Sequence, residues 1–120
     1  MLHTLRLTIP NVFLLTGEKA VLVDAGGPKD VPRILAFLNA HGIEPGKLSL
    51  ILLTHGHWDH AGGAAELRAK THAPVAIHRA DAHLVRQGTN GTLKPTCLTG
   101  RLILPFLPHA YPPVEPDLLI

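Results

Sequence analysis

Residues 48–63 read L-S-L-I-L-L-T-H-G-H-W-D-H-A-G-G, and this stretch decides the fold. Leu48 to Leu53 is nearly all apolar, which suits a strand covered on both faces. Three histidines and one aspartate then fall within six residues, as His55, His57, Asp59 and His60. Ala61 to Lys70 follows with helical character, so the polar cluster sits on a strand-to-helix turn. The carboxyl end of a buried strand is where open α/β sheets place their sites.

Working outward, Leu5 to Leu15 alternates loosely and breaks at Pro10-Asn11, which predicts two short strands joined by a turn. Gly17-Glu18-Lys19 is a turn signal, and the apolar run Ala20 to Val23 ends at Asp24. Together these predict an antiparallel meander. Val31, Ile34, Leu35 and Leu38 fall at i, i+3, i+4 and i+7, one stripe of a helix. Phe37 lies at its margin, Asp30 or a nearby residue can cap it, Pro32 fits only its first turn and Gly42 suits its stop. In the helix read over 61–70, Gly62 and Gly63 cost about 1 kcal/mol each relative to alanine, but let backbones approach closely. Pro74 to Ile77 reads as a strand, and Ala80 to Arg86 as a short helix ending near Gly88. Gly88 to Gly100 is turn-rich, and Leu102 to Leu107 is broken by Pro105. Prolines at 105, 108, 112, 113 and 116 predict an extended tail over 105–120. Strands alternating with helices after an antiparallel start indicate an α/β layered fold, with residues 1–120 as one domain.

Composition narrows the partners. Of the residues, 46% are hydrophobic and only 4% aromatic, so the core rests on Leu, Ile, Val and Ala. The formal charge of +2 comes from scattered Lys and Arg, which argues against a nucleic-acid footprint. Cys97 is the single cysteine, so no intrachain disulfide forms, and a small thiol at least half-buried is the default reading. No apolar run approaches the ~18 residues of a membrane span. The apolar run at the N-terminus is broken by Pro10-Asn11, unlike a signal peptide. The expectation is a soluble, cytoplasmic protein acting on a small molecule, with no nucleic-acid or membrane partner.

The cluster carries specific chemistry. His55 and His57 are two apart, so in an extended segment they project to one side, with Gly56 adding no bulk between them. Two such imidazoles can hold one metal. Asp59 and His60 sit where the chain turns into a helix and can serve a second position beside the first. Histidine and carboxylate ligands suit zinc, and also iron or manganese. Such a metal acidifies bound water and polarises a carbonyl or phosphoryl oxygen. Asp59 is also the candidate catalytic residue, placed to orient or deprotonate the attacking water. The competing reading is a histidine-rich surface loop; four ligand-type residues on a strand-to-helix turn favour the metal. His72, His78 and His83 read as surface or strand-end residues, and Trp58 as a candidate wall of the site.

H-G-H-W-D-H at 55–60 resembles the H-x-H-x-D-H signature of the metallo-β-lactamase superfamily, and Thr54 and Ala61-Gly62-Gly63 extend the likeness. V-L-V-D-A-G at 21–26 resembles the family's earlier strand ending in Asp-x-Gly. The resemblance covers most of residues 10 to 86. It implies an αββα sandwich with the site at the edge between two sheets, of which this chain resembles a truncated, N-terminal half. It further implies two zinc ions, with iron or manganese as alternatives. His55 and His57 correspond to ligands of the first metal, Asp59 and His60 to ligands of the second, and Asp24 to the carboxylate that supports them. The implied activity is hydrolysis of a small ester, thioester, lactone or amide. The family's later motif resembling G-H-T-x-G, its bridging aspartate and its last histidine are not visible after His60. Neither His109, in L-P-H-A-Y-P-P, nor Asp117 matches them. The resemblance therefore also implies an uncovered inner sheet face, which a homo-oligomer would cover. The alternative function is a non-catalytic or incomplete metal-binding half-domain that needs a second chain or a further C-terminal half for activity.

Overall fold

The computed structural model describes residues 1–120. Strands β1 (Leu2–Arg6) and β2 (Asn11–Thr16) pair antiparallel, with Leu5 opposite Val12. Strand β3 (Ala20–Val23) continues the meander, placing Leu22 opposite Leu14. Helix α1 (Val31–Ala40) then carries the chain across, so that β4 (Leu48–Leu53) lies parallel to β3 with Ile51 beside Leu22. β5 (Val75–Ile77) and β6 (Leu118–Leu119) add in parallel, giving a mixed six-stranded sheet in sequence order. The α/β expectation is met.

The registers sort the side chains onto two unlike faces. Val12, Leu14, Leu22, Ile51 and Val75 are fully buried and form one cluster with Val31, Ile34 and Leu38 of α1 and Leu67 of α3 (Ala64–Thr71). The alternate residues Phe13, Val21, Val23, Leu50 and Leu52 are only half-buried, and Leu15 is 43% exposed. Both faces are apolar, yet only one gains the full ~25 cal/mol per Å² that burial supplies.

Several local expectations are corrected. The helix read over 61–70 is two helices, α2 (Trp58–Ala61) and α3, separated at Gly62-Gly63. A Cβ on Gly63 would lie 2.3 Å from the Ala25 carbonyl oxygen, and one on Gly62 would lie 2.7 Å from Pro28 Cδ. The glycines thus let this break press against the loop that leaves β3, where Gly63 N–H donates to the Gly26 carbonyl at 3.1 Å. Asp30 does not cap α1 through its side chain; its carboxylate accepts the Gly27 N–H at 2.8 Å and closes the turn before the helix. Helix α4 (Ala82–Gln87) ends as expected at Gly88, which takes a left-handed φ of +65°.

A further helix, α5 (Leu98–Ile103), occupies part of the turn-rich region. Its apolar residues Leu98, Leu102 and Ile103 are exposed, so no buried stripe marks it in the sequence. Cys97 is exposed rather than half-buried, because it stands at the N-terminus of α5, where its Sγ accepts the Gly100 N–H at 3.4 Å. The proline-rich tail runs without helix from Leu107 to Asp117, but Tyr111 and Val114 enter the core before β6 joins the sheet. No helix is long and apolar enough to cross a membrane.

Candidate metal centre

Asp24 follows the last residue of β3 and has a φ of +65°, a left-handed conformation that aspartate tolerates better than most side chains. It is 3% exposed. Its Oδ1 accepts the Thr54 N–H at 2.8 Å, its two oxygens lie 2.9 Å from the Thr54 hydroxyl, and its Oδ2 lies 2.8 Å from His60 Nδ1. An ionised carboxylate only accepts. The single Thr54 hydroxyl proton therefore goes to Asp24, and the hydroxyl oxygen accepts from His55 Nδ1 at 3.0 Å. One carboxylate thus places a proton on Nδ1 of both rings, directly at His60 and through Thr54 at His55. In the neutral form of each ring this leaves Nε2 bare, the state a metal requires. The loop is closed by Ala25 N–H, which donates to the His60 carbonyl at 2.7 Å.

The structure gathers three of the four expected ligands. One donor atom each of His55, Asp59 and His60 lies within 4.8 Å of the others, and His60 Nε2 is 3.6 Å from Asp59 Oδ2. His57 stands outside this trio. It is the last extended residue before α2 (φ −79°, ψ 153°), and its ring meets His55 edge-on with centroids 4.8 Å apart. His55 and His60 are closer, at 4.1 Å between centroids. All four side chains are half-buried. Burial, then the neighbouring His60 and His57, hold the His55 pKa below its ordinary 6.5, favouring the neutral imidazole. Two imidazoles and a carboxylate form a donor set suited to zinc or another divalent first-row ion.

Three more side chains hold this turn, and none was singled out from sequence. Asp81, just before α4, accepts the Gly56 N–H on Oδ2 at 2.9 Å. The Tyr111 hydroxyl donates to the Gly56 carbonyl at 2.5 Å. Asn90 accepts the Trp58 N–H at 2.8 Å while donating to the Pro108 carbonyl at 2.7 Å. Burial, and then Asp81, push the Tyr111 phenol up to about 12. A sequence signal existed for Tyr111, which is the only tyrosine and sits in a proline-rich run. Trp58 is half-buried against Gly27, where an added Cβ would lie 3.0 Å from its ring. With Ile9 and Asp59 it separates two clefts, one reaching Lys29 and Asp30, the other reaching His57 and Leu107. His72, His78 and His83 are exposed, as expected. Asp117 serves the sheet edge, where its Oδ2 accepts the Val75 N–H at 2.9 Å.

Known proteins share both the sequence and this architecture. The chain is 30% identical over 119 residues to a Bacillus subtilis protein named "Probable metallo-hydrolase YflN", spanning 96% of this chain and 38% of that one. It is 45% identical over 67 residues to a hydroxyacylglutathione hydrolase of Bdellovibrio bacteriovorus, spanning 53% of this chain and 24% of that one. Among solved structures, the Rm3 metallo-beta-lactamase superposes with a TM-score of 0.74 at 36% identity, over 92% of this chain and 38% of the other. The chain thus spans about two-fifths or less of the length of these relatives. The metallo-beta-lactamase superfamily model matches residues 5–112. With its signature residues on the turn after β4 and nine-tenths of its length within the match, the chain belongs to the metallo-β-lactamase superfamily.

Proposed function

We propose that this chain carries the metal-binding turn of a hydrolase acting on a small ester, thioester, lactone or amide. His55, His57, Asp59 and His60 are the ligands in this reading, and Asp24 is the carboxylate behind them. The observation that carries it is the convergence of His55, Asp59 and His60 within 4.8 Å, with Asp24 against His60 Nδ1 and linked through Thr54 to His55 Nδ1. Zinc is the first candidate, in a two-ion arrangement, with iron or manganese as alternatives. When bound, such an ion would supply Lewis acidity and lower the pKa of its bound water to about 7.

The chain's own residues divide the remaining work. Asp59 orients the attacking water and accepts its proton. His55 and His60 present bare Nε2 atoms without reorganisation, because Asp24 and Thr54 already hold Nδ1. Trp58 walls the clefts on either side of Asp59, giving a small acyl compound room beside the reacting groups. The likeness to a hydroxyacylglutathione hydrolase makes an acyl thioester the first substrate class to test.

The test is metal content by elemental analysis for the chain, His55→Ala and His57→Ala, followed by thioester turnover. Loss of metal in both variants is expected; unchanged stoichiometry sinks the reading. A second reading, a metal-binding chain without turnover of its own, draws on the half-buried second face of the sheet and the trio of converging ligand atoms. Bound metal without hydrolysis by the isolated chain would favour it.

A further inference from the structure

Thr54, Gly56 and Trp58 alternate along the turn that leads from β4 into α2 and bears the histidines, and none of their amides pairs with a neighbouring strand. In a sheet such amides meet a neighbouring strand. Here they meet three side-chain oxygens from three separate segments: Asp24 Oδ1 at 2.8 Å, Asp81 Oδ2 at 2.9 Å and Asn90 Oδ1 at 2.8 Å. Gly56 is held on both sides: Asp81 takes the N–H of the His55–Gly56 peptide, and the Tyr111 hydroxyl donates to the carbonyl of the Gly56–His57 peptide at 2.5 Å. We propose that Asp81, Asn90 and Tyr111 are positioning residues that set metal affinity by fixing the backbone on both sides of His57, Asp81 and Tyr111 at Gly56 and Asn90 at Trp58.

The inference rests on the assignment of His55 and His57 as ligands. Asp24 acts on ring nitrogens, but nothing it touches orients Gly56. The two peptides flanking Gly56 are all the backbone between the Cα atoms from which the His55 and His57 rings project, so rotating either would swing one ring relative to the other. The grip is buried: Asn90 is 4% exposed and Tyr111 6%. It is also tightly packed. A Cβ on Gly56 would lie 2.7 Å from Leu84 Cβ of α4, and one on Gly88 would lie 2.1 Å from the Tyr111 carbonyl oxygen. Tyr111 N–H donates to the Gly88 carbonyl at 3.0 Å, and Val114 N–H to the Val85 carbonyl at 2.9 Å. The proline-rich segment is thereby docked on α4, and its one phenol is delivered to the histidine turn. Partners that orient metal ligands from outside the coordination shell typically change affinity 10–100-fold.

The test is titration of the 120-residue chain with Co²⁺, reading both affinity and the visible absorption of the bound ion. Tyr111→Phe and Asp81→Ala should each weaken Co²⁺ binding about tenfold or more and shift the spectrum. Asp81→Asn, which keeps an oxygen toward Gly56 N–H, should recover most of the affinity. If Asp81→Ala does not fold, Tyr111→Phe decides alone, because it removes one oxygen and no bulk. Wild-type affinity and spectrum in the variants, with only a lower melting temperature, would reduce these residues to a structural role and overturn the inference. So would Asp81→Asn binding as poorly as Asp81→Ala. Either result, with His55→Ala and His57→Ala still abolishing binding, would leave the proposed function standing. Absence of Co²⁺ binding in the wild-type chain would overturn both.

Discussion

The histidine turn is held from two sides, and the two sides work differently. On the β3 side a single buried carboxylate, Asp24, reaches the Thr54 amide, the Thr54 hydroxyl and the His60 ring. On the α4 side three residues from separate segments hold only the Gly56 and Trp58 backbone. The first side sets protonation, because it touches ring nitrogens directly or through one hydroxyl. The second sets geometry, because it touches peptide groups alone. A site that must be both chemically ready and correctly spaced divides these tasks between neighbours that a mutation can separate.

The strongest attack on this division is Asp24→Ala. It strips partners from the Thr54 amide and from His60, and puts alanine at a φ of +65°. A loss of about 3 kcal/mol or more is expected in urea unfolding. Asp24→Asn, which tolerates the backbone and keeps one acceptor, should lose less. A smaller loss for Asp24→Ala than for Asp81→Ala would break the comparison. Next comes Gly56→Ala, whose new methyl group must displace Leu84. Overpacking of this kind costs about 1–3 kcal/mol, read in the same unfolding experiment.

Tyr111→Phe sharpens the α4 side further. It leaves the Gly56 carbonyl without its donor, at a cost of about 1 kcal/mol. It also has a signature in pH. The phenol's pKa is raised from 10.0 to about 12 in the folded chain, so the unfolded chain ionises first. Its contribution is complete below pH 10, falls as pH rises, and is gone once the folded phenol ionises near 12. Wild-type stability should therefore decline over that window more steeply than that of Tyr111→Phe. The onset of phenolate absorbance locates the folded pKa cleanly, since this is the only tyrosine. The smallest effect belongs to Glu115→Gln. The Arg86 side chain hydrogen-bonds Glu115 and lowers its pKa, so that pair stabilises above the ordinary 4.5 and fades as pH falls through the lowered value. Both groups are exposed and screened by salt, so the urea midpoint at neutral pH should hardly move.

The β3 side was readable in the sequence and the α4 side was not, for a physical reason. Asp24 ends an apolar strand, and Thr54 follows the strand that pairs with it. Their meeting follows once β3 and β4 lie parallel in register. The four clustered candidate ligands announced themselves by type and spacing, although the separation of His57 from the other three depends on where α2 begins. Asp81, Asn90 and Tyr111 lie 25, 32 and 55 residues from the groups they bind, and each sits outside the helices and strands whose periodicity the sequence shows. Helix α5 and the break at Gly62-Gly63 escaped for related reasons: one buries no stripe, and the other is set by an approach to Ala25 and Pro28.

The row of amides at Thr54, Gly56 and Trp58 has a consequence for measurement. Each donates to a side chain rather than to a neighbouring strand or turn of helix, so none must wait for regular structure to unravel before exchanging with solvent deuterium. Protection at each should follow the lifetime of one carboxylate or amide contact. The three protons can then report separately on the two sides of the turn: Thr54 on Asp24, Gly56 on Asp81 and Trp58 on Asn90. Slower exchange at Gly56 and Trp58 on loading with metal would show that the ion tightens its own mounting from within.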